Sequence, residues 1–411
     1  MISAKPFSIS KWTVYEAWLR VKANGGAAGI DEQSISDFEQ DLKKNLYKIW
    51  NRMSSGSYFP PTVKRVEIPK DKGIRVLGIP TVSDRVAQMV VKMELEPELE
   101  SVFDNDSYGY RPNRSAHDAL TITRKRCWQY DWVIDLDIKG FFDNLNWELL
   151  GKALRKHTNN PWVLLYIDRW LKAPMETSDG LIIERTKGTP QGGVISPLLA
   201  NLFLHYAFDM WLRREHPDVQ FARYADDAVV HCRSEQEARA LKHAIEQRML
   251  DCCLECHPEK TKLVYCFDAK RRQPYDVVSF DFLGYCFRPR LVRSRWSGMF
   301  VSFTPAISPK AKQKIRTQIK SYELHRRTTL TIRDLANKLN PILKGWIEYY
   351  GRYWKTELKS VFYVLNQRLL KWAKSKYKRL RTSNPKVNKW LIGVYQSQPN
   401  LFAHWQLGCR P

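Results

Sequence analysis

Apolar and polar positions repeat with two different periods along this chain, and the change of period divides it. A helical pattern runs from Trp12 to Val21 and ends in the loop Asn24-Gly25-Gly26-Ala27-Ala28-Gly29-Ile30-Asp31. Between Val63 and Val82 the period shortens to two short β-like runs around Pro69-Lys70-Asp71-Lys72-Gly73. Alternation returns at Asp131–Asn144, where Trp132, Ile134, Leu136 and Ile138 share one face and Val133, Asp135 and Asp137 the other. From Phe221 to Cys232 two apolar runs flank Asp226 and Asp227, which predicts a hairpin of half-buried strands turning at the two acids. After Phe282-Leu283-Gly284-Tyr285 the period lengthens again. Leu358, Val361, Leu365, Leu369 and Trp372 recur at helical spacing, and further helical patterns cover about 310–325 and 331–353. These three predict a helical bundle.

The acidic turn is chemically unusual. A tight hairpin favours Asn-Gly or Asp-Gly, because positive φ is needed there, whereas two adjacent carboxylates repel. An ordinary Asp-rich turn is one reading. The other is a divalent cation held by Asp226, Asp227 and a third acid, for which Asp137 is placed at the end of its strand. Magnesium takes such hard oxygen ligands together with water and substrate phosphates. Two ions about 4 Å apart can activate a hydroxyl and stabilise a leaving pyrophosphate, which points to nucleotidyl transfer. Lys70 at the first hairpin tip and Arg75 behind it offer a mobile point charge and a bidentate fork for triphosphate oxygens. In isolation a basic, solvated edge is the favoured reading of them.

Charge sharpens the division. The chain of 411 residues carries a formal net charge of +24. Residues 288–411 hold 27 Lys and Arg against 4 Asp and Glu, whereas residues 1–287 hold 40 against 39. Nearly all the excess therefore lies in the last third, where a polyanion would neutralise it. Nucleic acid is the expected partner, since no apolar run of membrane-spanning length and no lipidation motif accompanies the charge. Trp346, Tyr349, Tyr350, Tyr353 and Trp354 are interleaved with it and could stack on splayed bases. Eight irregularly spaced cysteines suggest a reducing cytoplasm. Cys252, Cys253, Cys256 and His257 lack a second correctly spaced pair and read as buried cysteines rather than a zinc site.

Tyr224-Ala225-Asp226-Asp227, a preceding strand bearing Asp137, and Gly188-Thr189-Pro190-Gln191-Gly192-Gly193-Val194-Ile195-Ser196-Pro197 between them resemble the palm of a reverse transcriptase. From about Ala17 onward the chain is similar to the reverse transcriptase/maturase proteins encoded in bacterial group II introns. The resemblance implies an α/β (α+β) right-hand polymerase with an antiparallel-sheet palm, mixed fingers and a mostly helical basic thumb. It places an N-terminal extension at 1–60, where it would help to grip template RNA, fingers at 61–130, the palm at 131–287 and the thumb/maturase domain at 288–411. Two Mg2+ ions, with Mn2+ as a substitute, would be held by Asp137, Asp226, Asp227 and the backbone carbonyl of Ile138. Lys70, Arg75, Phe142 and Gln191 would contact the nucleotide, Phe142 as a barrier to a 2′-hydroxyl. Ser107–Ser115 also matches the family, as a supporting loop. Within Pro258-Glu259-Lys260-Thr261-Lys262 the family has a lysine proposed to protonate pyrophosphate; the resemblance leaves Lys260 and Lys262 open, with Lys262 preferred. Lys371, Lys374, Lys378 and Arg381 would bind RNA from the basic helix.

Implied partners are group II intron RNA, an RNA template with a DNA or RNA primer, target DNA and deoxynucleoside triphosphates, in the cytoplasm and without a membrane. Many relatives continue into a Cys- and His-bearing endonuclease. Here only Cys409 follows Cys286 before Pro411. Second-strand cleavage is therefore not expected, and an existing DNA end would serve as primer. Two rivals share the scaffold: a splicing cofactor without catalysis, which three mutually repelling carboxylates argue against, and a related polymerase recruited to bacterial defence or diversification.

Overall fold

The computed structural model describes residues 5–69, 73–293 and 298–411. Lys70, the expected phosphate contact, lies outside them. The chain forms two compact units, residues 1–119 with 134–262 and residues 120–133 with 263–411. These units follow packing, whereas the expected boundaries at 131 and 288 follow the family resemblance and the change of charge. Strand Phe280–Phe282 pairs with Tyr285–Arg293, and Phe280 stacks on Phe287 at 4.8 Å. That sheet therefore starts ahead of the basic run.

In the first unit, Ser10 caps the helix Lys11–Asn24, which buries Val14, Ala17, Trp18 and Val21, with Trp18 stacked on Phe38 at 4.9 Å. The expected β-like runs are the antiparallel strands Val63–Pro69 and Ile74–Ile79. Their sheet is completed by Met175–Glu176 and Ile182–Ile183, a short insertion from within the expected palm.

The sheet that carries the acids runs in the order Gln220–Tyr224, Asp227–Cys232, Trp132–Leu136 and Lys262–Tyr265. The acidic hairpin forms as the alternation predicts, with Tyr224 paired to Asp227. Its strands are not half-buried, however. Successive residues Phe221 and Ala222, and Val229 and Val230, are all fully buried, so both faces are covered. Helix Ser196–Leu204, buried at almost every position, shows the same shielding in its sequence as an apolar run broken only by Asn201 after Pro197.

The second unit contains the predicted bundle, with helices Pro309–Ser321, Ile332–Tyr350 and Lys359–Lys376. Thr331 and Asp334 form a capping box at the start of the second helix. Leu358, Val361, Leu365, Leu369 and Trp372 are wholly buried, as the stripe predicts. Asn384–Ser397 adds a fourth helix that the periodicity missed, since it buries only Val387 and Leu391. Helix Lys359–Lys376 is also shorter than expected. Lys378–Leu380 is a 3-10 turn, so Lys378 and Arg381 follow the helix rather than lying on it. Among the described residues no helix is long and apolar enough to cross a membrane.

Candidate active site

Asp226 is the second residue of a two-residue turn, Asp227 opens the next strand, and Asp137 stands one position past Trp132–Leu136. The end of that strand is pinned by the segment that follows helix Glu235–Asp251. Lys139 N–H donates to Glu255 O at 2.8 Å and His257 N–H to Asp137 O at 2.7 Å, around a bridge between Ile138 and Cys256. In this antiparallel pattern the bonds flank the bridged pair, so the carbonyl of Ile138 is turned away from Cys256. It is thereby left for another partner, which suits its expected role.

The carboxylates feel one another. Burial, and then the charges of Asp226 and Asp137, push the Asp227 pKa up to about 7, while Lys260 pulls it back. The Asp227 side chain nevertheless faces solvent, so water screens part of this effect; the like-charge repulsion is the part on which the reading rests. Among the described residues no three acidic, histidine or cysteine side chains converge into a ready coordination cluster. The donor set still fits a hard divalent cation: Asp227, whose proton affinity burial, Asp226 and Asp137 raise, beside an Ile138 carbonyl turned away from Cys256.

Of the two candidate lysines, Lys260 and not the preferred Lys262 has a contact with one of the acids. The chain turns at Pro258–Lys260 before the strand begins at Lys262, and this brings Lys260 Nζ within 3.1 Å of Asp137 Oδ2. Lys262 is exposed at the strand's first position. Both lysines are exposed, and counting along the sequence could not show which one the turn would bring to Asp137.

Beside the acids is a cavity of about 230 Å³ lined by Arg75, Leu77, Tyr110, Phe142, Gln191 and Gly192, among others. Arg75 Nε donates to Gln191 Oε1 at 2.7 Å, and Gln191 Nε2 lies 3.4 Å from both carboxylate oxygens of Asp143. Gly78 N–H donates to Gln191 O at 3.0 Å, and a Cβ on Gly192 would stand 2.5 Å from Gly78 O. Glycine is therefore required for the Pro-Gln-Gly loop to close on the hairpin that carries Arg75. Thr189 N–H donates to Phe142 O at 2.7 Å, which ties the other end of the loop to the proposed barrier. Of the two phenylalanines, Phe141 packs inward against Phe203 at 6.3 Å and Phe142 lines the cavity. A larger hollow, about 870 Å³, is lined by Lys11, Tyr15, Asp41, Tyr47 and Trp50, whereas the smaller one is tied to Asp226 and Asp227 through Tyr110, whose phenol both affect. Carboxylates, not volume, locate the chemistry.

Within the supporting loop Ser107–Ser115, the sequence did not single out Tyr110. Its phenol pKa is raised by burial and by Asp226, Tyr224 and Asp227, with Arg75 opposing. It thus lies within electrostatic range of both the acids and the basic wall. Its left-handed backbone, φ +56, gave no sequence signal because tyrosine has no preference for it.

On the second unit, Lys371, Lys378 and Arg381 are exposed, while Lys374 is half-buried with its ammonium donating to Asn384 Oδ1. The aromatics expected to stack on bases are largely engaged with one another. Tyr285 meets Tyr349, Tyr350 and Tyr353 at 5.9, 5.8 and 5.5 Å, and Tyr349 Oη donates to Leu283 O at 2.9 Å. They build a core around the Phe282–Tyr285 turn.

Residues 68–287 match the reverse transcriptase (RNA-dependent DNA polymerase) family, and residues 312–390 match the group II intron, maturase-specific domain. Protein YkfC of Escherichia coli is 30% identical over 69% of this chain and 81% of its own length. The group II intron-encoded protein LtrA of Lactococcus lactis is 35% identical over 46% of this chain, an alignment that spans only 32% of LtrA. A telomerase structure from Candida albicans aligns with 90% of this chain and 67% of that one, at 12% identity and a TM-score of 0.47. With the polymerase match extending over more than half of the sequence, and the acids, the Pro-Gln-Gly loop and the basic wall falling inside it, the chain belongs to the reverse transcriptase family of RNA-directed DNA polymerases, built on the right-hand fold and carrying a group II intron maturase domain.

Proposed function

We propose that this polymerase copies intron RNA into DNA and assists the splicing and mobility of a group II intron by binding its RNA. The observation that carries the reading is the placement of three mutually repelling carboxylates beside a cavity walled by Arg75, Gln191 and Phe142. Asp137, Asp226, Asp227 and the Ile138 carbonyl would hold two Mg2+ ions, or Mn2+ in their place. Bound there, such ions polarise the attacking 3′-hydroxyl and neutralise charge on the phosphates. The side chains do the rest. Arg75, already oriented by Gln191, binds triphosphate oxygens through its fork. Phe142 excludes a 2′-hydroxyl by bulk. Lys260 Nζ, within reach of Asp137, supplies a proton to the departing pyrophosphate.

The maturase match, together with the basic final third of the chain, favours intron RNA over a defence or diversification role. Lys371, Lys374, Lys378 and Arg381 would contact its phosphates. Chelation tests the metal part. After exhaustive removal of divalent ions, extension of a DNA primer on an RNA template should stop and return with Mg2+ or Mn2+. Undiminished extension under chelation would refute it.

A further inference from the structure

The strand leading to the acidic turn contains a charge that has no part in binding nucleotide. The Arg223 side chain is 1% exposed, and that of its partner Asp209 is 0% exposed. Nε donates to Asp209 Oδ1 at 2.7 Å and one terminal nitrogen to Oδ2 at 2.5 Å. The other terminal nitrogen reaches Asn201 Oδ1 and the carbonyl of Ala225, each at 3.0 Å. Desolvating such a pair consumes most of what its attraction supplies, so stability alone is a weak reason for it. Position is a better one.

Ala225 is the first residue of the turn, with φ +57. That conformation costs an L-residue roughly 1–2 kcal/mol, and glycine is the usual choice. The carbonyl held by Arg223 belongs to the peptide that joins Ala225 to Asp226. Asp209 is itself placed by an irregularity: it ends the π-helical turn His205–Asp209, inserted between helices Ser196–Leu204 and Met210–Glu215. A π-turn shifts the phase of everything after it, and such turns recur at functional sites. The opposite side is closed by Gly109, whose carbonyl accepts from Asn201 Nδ2 at 2.6 Å and where a Cβ would stand 2.4 Å from Ala225 N. The two peptides that flank Ala225 are thus fixed from two sides, with Asn201 linked to both supports.

We propose that Arg223 is a positioning residue: gripped by Asp209 and Asn201, it holds the strained Ala225 peptide and so directs the carboxylates of Asp226 and Asp227. The proposal rests on the reading that those carboxylates hold the catalytic metals. Its consequence is selective. Loss of the clamp leaves Arg75, Gln191 and Phe142 in place, so nucleotide binding persists while the rate at saturation falls.

The test uses the full chain, a DNA primer on an RNA template, and Arg223→Lys made alone and together with Ala225→Gly. Single-turnover extension, the Mg2+ requirement, thermal melting and hydrogen exchange across residues 221–232 are measured. Arg223→Lys should lower the saturated rate roughly 100-fold, the scale expected of a misplaced reacting group. The half-saturating nucleotide concentration should stay unchanged, the Mg2+ requirement should rise, and exchange should quicken at Asp226 and Asp227. With glycine at 225 the positive φ carries no strain, so the same lysine substitution should cost clearly less. Equal losses in both backgrounds, fully accounted for by unfolded protein, would overturn the proposal. Should Arg223→Lys not fold, Asn201→Ala leaves the buried ion pair intact and removes one member of the clamp. It should show the same pattern in milder form, and wild-type behaviour would overturn the proposal. If the wild type itself extends no primer, the polymerase reading fails, whereas the exchange measurement still decides the clamp.

Discussion

At the scale of single residues, Asp137, Asp226 and Asp227 are the proposed metal ligands and Phe142 the proposed barrier. Three acids at the ends of apolar strands have few other uses, and the structure brings Asp226 and Asp137 close enough to shift Asp227. Residues whose role depends on a turn were not legible. Lys260 and Lys262 differ by two positions, and only the turn at Pro258–Lys260 separates them. Phe142 and Phe141 are likewise indistinguishable until one is seen to line the cavity. If Phe142 is the barrier, Phe142→Ala should lower discrimination against ribonucleotides by roughly tenfold or more, about 1.4 kcal/mol. Single-nucleotide incorporation with each sugar measures it, and an unchanged ratio would place the barrier elsewhere.

At the scale of elements, the two periods predicted the strands and helices because one face of each is buried, and they failed where burial is complete or slight. The Pro-Gln-Gly loop shows a further limit, since its support comes from far away in sequence. Buried Asp84 accepts from Tyr58 Oη at 2.9 Å, Trp170 Nε1 at 2.7 Å and Gln88 Nε2 at 2.9 Å. Gln88 Oε1 in turn accepts from Val194 N–H at 2.7 Å, just past the loop. No spacing rule connects those positions.

Burial raises the Asp84 pKa to about 6, against the opposing hydrogen bonds. A carboxyl whose folded pKa is raised gives its stability in full below its unfolded value, near 3.8, and loses it as pH climbs through about 6. By linkage that loss is about 3 kcal/mol at neutral pH. Buried His404, lowered to about 3, acts oppositely and favours the fold as pH rises from 3 toward 6.5. A difference measurement isolates Asp84: the melting temperature of wild type minus that of Asp84→Asn should decrease from pH 5 to pH 8. A difference that stays flat or grows would mean Asp84 is not held protonated.

At the scale of the whole molecule, composition divides function more clearly than it divides packing. All the proposed catalytic side chains lie in the nearly neutral first 287 residues, and the excess positive charge lies beyond them. Phosphate contacts release counterions, so intron RNA affinity should fall steeply with salt. Changing Lys371, Lys374, Lys378 and Arg381 together to Gln should flatten the log–log salt dependence by roughly 3, at about 0.7 per single-stranded phosphate contact. The buried stripe is untouched and Gln has similar helix propensity, so the bundle should persist. An unaltered slope would make these four cations a solvated face only.

The central claim is that Asp226 serves synthesis and not RNA binding. The most direct test measures, on one preparation of folded Asp226→Asn protein, single-turnover primer extension on an RNA template and affinity for intron RNA. Extension should fall by roughly 100-fold or more, the scale of removing one electrostatic stabiliser from an active site, while RNA affinity stays at the wild-type value. Extension at near the wild-type rate, or a parallel loss of RNA affinity in folded protein, would contradict it.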